Sequence, residues 1–414
     1  MNSIINILKT RGFVSQCTDI EGLSKLMDDG PVTFYEGTDP TGKSLHIGHM
    51  VPYFAFRHMR QAGHKGIALL GTGTARIGDP SGRDCVRKML SYEQLDENTE
   101  AIRCQLDRFV GFDDKNAWTA NNKDWLASLN YIDFLREIGS HFSVNRMLSF
   151  EAYKTRLETG LSFIEFNYQL LQSYDFLELY RRYGCRLQIG GDDQWGNIVA
   201  GAELIRRIEG VEVFGLTFPL VTTSDGKKMG KTVKGALFLD PLLTTPYEFF
   251  QYWRNVQDQD ILRFLLMFTF LPVDECNSLC EAGKNPNEAK ERLAWEVTSL
   301  IHGKDEADKA MSGAKAAFSG SGDKSEMPCA ELPLSRFQAG YNIADLFFDA
   351  GLAATKSESR RLVQQGGAFV SSPQDGELSV INDHLALIGT DRLNIKGELI
   401  LRAGKKRFLL ILTK

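Results

Sequence analysis

The sequence predicts an α/β protein built on a mostly parallel sheet, followed by an α-helical segment and a small α+β unit. Three observations carry that expectation. Short apolar runs alternate with helix-periodic stretches through residues 1–220. Residues 246–318 are helix-patterned with no strand signal. A Gly/Ser/Pro-rich stretch then precedes a tail that mixes both patterns. The expected boundaries are 1–220 for the sheet domain, 221–245 for a glycine-punctuated loop and connection, 246–318 for the helical domain, 319–338 for a linker and 339–414 for the last unit.

The stretch 32–50, VTFYEGTDPTGKSLHIGHM, concentrates the chemistry. Val32 and Phe34 begin a buried strand, 37–42 is rich in turn residues, and the apolar period over 45–59 predicts a helix. A strand, a glycine turn and a helix N-terminus together cradle phosphate, because backbone N–H groups and the helix dipole face the anion. Two motifs overlap here. Gly37-x-x-x-x-Gly42-Lys43-Ser44 formally matches a phosphate loop, and His46-Ile47-Gly48-His49 gives HxGH. Two imidazoles three residues apart share one helical face, with a glycine leaving room between them. The plain alternatives are a turn of accidental composition and two surface histidines.

Downstream, 66–71 reads as a strand that runs into Gly71, Thr72, Gly73 and Thr74, then Ile77-Gly78-Asp79-Pro80-Ser81-Gly82. Arg76 stands where a dinucleotide fingerprint needs its third glycine, which argues against an NAD site. Asp79 also reads as a simple turn residue before Pro80. Residues 161–180 predict a helix apolar on most sides, yet Tyr168, Gln172 and Asp175 form one line along it at i, i+4 and i+7. Buried polar groups need partners, so this line is either a hydrogen-bonded seam or the wall of a polar pocket. The strand 186–189 ends in Gly190-Gly191-Asp192-Asp193-Gln194-Trp195-Gly196, and a helix over 198–208 follows. Its carboxylates suit ribose hydroxyls or the cap of that helix. Ser224-Asp225-Gly226-Lys227-Lys228-Met229-Gly230-Lys231-Thr232 is either a solvated turn or a loop that closes ammonium groups over polyphosphate.

Composition narrows the class. Apolar residues are 43% and charged residues 24% of the 414, ordinary values for a globular chain. A net charge of −5 argues against nucleic-acid binding over the whole surface but leaves room for a local basic patch. Such a patch is expected near the end, from Lys356, Arg360 and Arg361 on one helix and Lys405, Lys406 and Arg407 before a strand. No apolar run of about 18 residues predicts a membrane span. The seven cysteines are scattered without CxxC spacing, which fits a reducing, cytoplasmic setting and no zinc site.

HxGH followed by Lys228-Met229-Gly230-Lys231-Thr232, similar to KMSKS, resembles the signature pair of class I aminoacyl-tRNA synthetases. Tyr35-x-Gly37-x-Asp39-Pro40-Thr41, Ile77-Gly78-Asp79-Pro80-Ser81, Tyr168-x-x-x-Gln172-x-x-Asp175 and Gly190-Gly191-x-Asp193-Gln194-Trp195-Gly196 resemble the bacterial tyrosyl family in particular. The similarity runs over the whole chain, and the tail resembles an RNA-binding module also found in a ribosomal small-subunit protein. The resemblance implies a Rossmann-like catalytic domain and a homodimer formed around an insertion at about 110–160. It implies tyrosine, ATP with Mg2+ on its phosphates, and tRNA(Tyr) as substrates, with no tightly bound protein metal.

The family also implies roles for these positions. His46 and His49 contact phosphate and nucleotide, while Lys228, Lys231 and Thr232 hold the leaving pyrophosphate, with Arg83 and Arg87 assisting. Tyr35 and Asp175 take the substrate phenol. Asp79, Tyr168 and Gln172 take its ammonium, and Gln194 reaches the same substrate. Gly37 lies on the ATP side, Asp39 at the ammonium or ribose, and Gly191 and Asp193 at the adenosine ribose. Lys356, Arg360, Arg361, Lys405, Lys406 and Arg407 face tRNA. Glu36, Arg76 and Asp192 depart from the family pattern, and the direction of their effect on ATP affinity stays open. Three rivals make different demands. A P-loop nucleotidase makes Lys43 essential, a non-enzymatic RNA cofactor loses the catalytic motifs, and a smaller HxGH nucleotidyltransferase lacks the later domains.

Overall fold

A computed structural model of the chain describes residues 2–81, 90–224, 226, 229–232, 235–319, 329–374, 376–404 and 407–414. They fall into two compact units, Met1–Thr244 with Gln257–Lys284 and Thr245–Val256 with Asn285–Lys414.

The first unit is organised by a six-stranded sheet. Its strands are β1 (Gln16–Cys17), β2 (Thr33–Thr38), β3 (Lys65–Leu70), β4 (Ala117–Asn121), β5 (Cys185–Gly191) and β6 (Phe214–Phe218), in the spatial order β1-β6-β5-β2-β3-β4. Only β1 runs antiparallel. Burial on both faces explains the continuous apolar runs: five of the six residues of β3 and all five of β6 are buried. The chain crosses over between β2 and β5, so the sheet's switch point lies there, the usual place for a ligand crevice.

Local sequence sets most boundaries, with informative exceptions. The HxGH helix is Ile47–Gln61, and His46 caps it from an extended conformation at φ −117° instead of lying within it. The helix expected over 161–180 is two helices, Phe163–Phe166 and Tyr168–Tyr183. Ser162 and Glu165 form a capping box at the first, and the Asn167 side chain donates to the Phe163 carbonyl (2.7 Å), which interrupts the continuous ladder. Strand β4 lies inside the stretch that the sequence suggested as an insertion.

The helical stretch 246–318 contributes to both units. Helices Ile261–Phe268 and Val273–Leu279 belong to the first, where Arg11 donates to the carbonyls of Leu266, Thr269 and Leu271. Helices Pro246–Arg254, Pro286–His302 and Lys304–Ser319 belong to the second. The second unit also holds a five-stranded sheet in the order Leu378–Ile381, Ala368–Ser371, Glu398–Ala403, Arg407–Thr413, Cys329–Leu332. Cys329–Leu332 lies in the stretch expected to be linker, and it pairs parallel to Arg407–Thr413 because Leu332 reaches a core with Phe337, Phe347, Leu401 and Ile411. Helix Lys356–Gln364 buries Ser359 and Val363 and leaves Lys356, Arg360 and Arg361 exposed.

Candidate active site

The carboxyl ends of β2, β3 and β5 present the residues that the motifs single out. Tyr35 points down from β2, 1% exposed, with its ring against Phe176 at 5.3 Å. Its hydroxyl has no hydrogen-bond partner among the described residues. Burial raises the phenol well above its usual range, and Asp175 is the strongest charge acting on it. Asp175 is also buried and accepts from Asn122 Nδ2 (2.9 Å) and Trp125 Nε1 (2.7 Å). Burial pushes its carboxyl up to about 8, while those two donors pull the other way.

The remaining members of the stripe meet other elements. Tyr168 donates to Asp39 Oδ2 (3.0 Å), whose Oδ1 accepts from Thr74 (2.7 Å). Gln172 accepts from Asn197 (2.9 Å), which also donates to Gln194 (3.2 Å), and Gln194 donates to Asp79 Oδ2 (2.7 Å). The backbone N–H of Ser81 satisfies the other Asp79 oxygen (2.9 Å), so Asp79 is turn residue and network member at once. A connected polar wall thus joins Asp79, Gln194, Asn197 and Gln172, and a second joins Tyr168, Asp39, Thr74, Asn122 and Asp175. The hydrogen-bonded seam of the sequence reading is therefore present.

In the HxGH motif, the His46 and His49 rings stack at 3.7 Å and 18°, and the His46 N–H donates to His49 Nδ1 (3.3 Å). The second motif docks on the first. Gly230, at φ +78°, sits so close to the HxGH helix that a Cβ there would lie 2.6 Å from Ile47 Cγ2. Leu237 also accepts from the Ile47 N–H (3.0 Å) and donates to the Gly230 carbonyl (2.7 Å). Lys231 and Thr232 form a short strand paired with Gly235–Ala236. Lys228, Arg83, Arg87, Lys405 and Lys406 lie outside the described residues, as do the side chains of Lys231 and Thr232.

Gly37 is open at the end of β2. Gly191 is tight, since a Cβ there would lie 2.6 Å from Asp193 Oδ1. Glu36 is 8% exposed, and burial followed by the Asp193 charge raises its carboxyl well above the usual range. Lys43, which the P-loop rival requires on phosphate, pairs on the surface with Glu97 (3.0 Å). Among the described residues, no cluster of three His, Cys, Asp or Glu suits a metal ion.

Sequence reasoning missed Asn122, Trp125, Thr74, Asn197 and Gln188. Gln188 is the β5 neighbour of Tyr35 across the ladder, and its buried amide oxygen likewise has no partner among the described residues. None of these stands in a motif; Asn122 and Trp125 follow a strand that only the three-dimensional sheet reveals.

Comparison with known proteins agrees with this arrangement. The family model for class I tRNA synthetases (W and Y) matches residues 27–319. The chain is 62% identical over 412 residues to the tyrosine–tRNA ligase of Treponema denticola, with both chains covered in full. It is 50% identical over 413 residues to that of Caldanaerobacter subterraneus, again covering both in full. A C-terminally truncated mitochondrial tyrosyl-tRNA synthetase from Aspergillus nidulans shares the structure at a TM-score of 0.69 and 30% identity, over 76% of this chain and 94% of that one. A tyrosyl-tRNA synthetase from Archaeoglobus fulgidus, 18% identical, shares the fold at 0.58 over 75% of this chain and all of the other. On these grounds the chain belongs to the tyrosyl branch of the class I tRNA synthetases.

Proposed function

We propose that this chain attaches tyrosine to tRNA in two steps within the crevice at the β2/β5 switch point. The tyrosine carboxylate attacks the α-phosphorus of MgATP, forming tyrosyl-adenylate and releasing pyrophosphate. A hydroxyl of the tRNA terminal ribose then attacks the adenylate carbonyl, and AMP leaves. A carboxylate is already ionised at neutral pH, so the first step needs no protein base. The protein's work is to position the reactants and to stabilise charge on the departing phosphates.

One observation carries the choice of tyrosine: Tyr35 offers a buried hydroxyl with no hydrogen-bond partner among the described residues, beside Asp175, whose carboxyl group Asn122 and Trp125 already hold in place. A phenol entering there completes both groups. Phenylalanine leaves the Tyr35 hydroxyl unmet, an asymmetry for which tyrosyl synthetases are themselves the worked example. In this reading Asp79, Tyr168 and Gln172 hold the ammonium, with Gln194 beside them. Asp39, Gly191 and Asp193 line the ribose side, and Gly37 admits the nucleotide. His46 and His49 face nucleotide and phosphate, and Lys228, Lys231 and Thr232 take the pyrophosphate charge with help from Arg83 and Arg87. ATP–pyrophosphate exchange with each of the twenty amino acids tests it. Exchange with tyrosine alone is expected, and equal exchange with tryptophan or phenylalanine would sink it.

Lys356, Arg360 and Arg361, exposed along one helix, and exposed Arg407 support tRNA binding by the second unit, a role this reading also gives to Lys405 and Lys406 on sequence alone. Exposed Ile132, Val144, Leu157 and Phe163 supply an apolar surface in the first unit that supports a homodimer. Light scattering of Phe163→Asp should report a monomer. Scattered cysteines without CxxC spacing support a cytoplasmic setting; among the described residues, no helix is long and apolar enough to cross a membrane.

A further inference from the structure

Asp192 stands one residue before Asp193 and two before Gln194, in the single turn that leaves β5. Its carboxylate oxygens are held by neutral donors from other segments of the chain. Oδ2 accepts from Ser15 Oγ (2.7 Å), and Oδ1 accepts from Thr217 Oγ1 (2.5 Å) and more weakly from Gln16 Nε2 (3.4 Å). Ser15 and Gln16 lie at the edge strand β1, and Thr217 lies fully buried on β6. One side chain therefore ties three segments together.

We infer that Asp192 is a positioning residue, a brace that fixes the turn carrying Asp193 and Gln194 to the first strand of the chain. The physical case rests on reach and on order. Strand β1 pairs with β6 over Gln16 and Cys17, and the Ser15 N–H to Thr217 (2.9 Å) and Thr18 N–H to Gly215 (3.0 Å) bonds hold both of its ends, so it offers the turn after β5 a fixed anchor. Hydrogen bonds to a carboxylate are roughly twice as strong as neutral ones, and a carboxylate accepts from two sides at once. A serine here would have one oxygen on a shorter stem and lack that double reach. The chain just after Asp192 then meets the polar wall: Gln194 holds Asp79, and Asn197 holds both Gln194 and Gln172. A shift of about 1 Å in such a turn misplaces every group on that wall.

The inference rests on the reading that Asp193 and Gln194 face substrate, and the test separates the two. In ATP–pyrophosphate exchange, Asp192→Ala should raise KM for ATP and for tyrosine by about fivefold, with kcat within about twofold. Asp192→Asn should recover most of the loss, since its amide still accepts from Thr217 and donates to Ser15. Adding Ser15→Ala to Asp192→Ala should cost nothing more. Amide hydrogen exchange over 193–197 should quicken in Asp192→Ala, and unchanged exchange there overturns the brace whatever the substrate is. A lower melting temperature with unchanged KM also overturns it, and so does a fall in ATP KM in Asp192→Asn, which would mean that the charge acts directly. An unchanged ATP KM in Asp193→Ala overturns the substrate reading instead, and the exchange result still decides the brace.

Discussion

Tyr35 shows how a single atom separates binding from stability. Its hydroxyl is buried with no hydrogen-bond partner among the described residues, a state that costs about 1–3 kcal/mol in the free protein. Tyr35→Phe should therefore leave the melting temperature unchanged or raised, while weakening tyrosine binding by about fivefold to twentyfold. Calorimetry of both quantities checks the opposite signs; a variant that loses stability and keeps affinity would refute the role. Asp175 gives the matching pH dependence. In the unfolded chain its carboxyl titrates near about 4, and in the fold near about 8. Between those values the native chain keeps a proton that the unfolded chain has released, so this group makes stability fall as pH rises from about 4 to about 8. Below and above that window it contributes no slope. Asp175→Asn should flatten this part of the melting-temperature profile, and parallel profiles for the two proteins would contradict the assignment.

Among the elements, the contact between the two signature motifs matters most. Gly230 adopts φ +78°, which favours glycine, and its backbone lies where a methyl would meet Ile47. Gly230→Ala should push the lysine strand off the HxGH helix and slow adenylate formation by about tenfold or more. Tyrosine affinity, set by Tyr35 and Asp175, should hold. Stopped-flow tyrosine binding beside pyrophosphate exchange measures both, and equal loss in the two would place the effect on the fold at large. The divided helix at 163–183 belongs to this scale too. The repeat of Tyr168, Gln172 and Asp175 was legible from spacing alone. Their partners Asp39, Asn197, Asn122 and Trp125 come from other places in the chain, so no local pattern could announce them.

Across the whole chain, charge is distributed against the average. The net charge is −5, yet Lys356, Arg360 and Arg361 stand exposed along one helix of the second unit. Arg360→Glu with Arg361→Glu should leave ATP–pyrophosphate exchange within about twofold of the parent and weaken tRNA binding strongly. The slope of binding against salt should fall by about 1 for each tRNA phosphate that is no longer neutralised. A filter-binding series over salt concentration reads that slope, and an unchanged slope would remove this helix from the tRNA surface.

The parallel α/β architecture, the two signature motifs and the polar line Tyr168, Gln172 and Asp175 were all readable before any strand was placed. They depend on periodicity, glycine placement and spacing, which are properties of neighbouring residues. Folding alone dictates that His46 caps its helix, that Lys43 pairs with Glu97 away from the crevice, and that the Asp192 carboxylate holds two strands together. Those outcomes depend on which distant groups a side chain meets once strands from positions 16 to 218 lie side by side. Hydrogen bonding and burial act through space, and only the assembled sheet sets those distances.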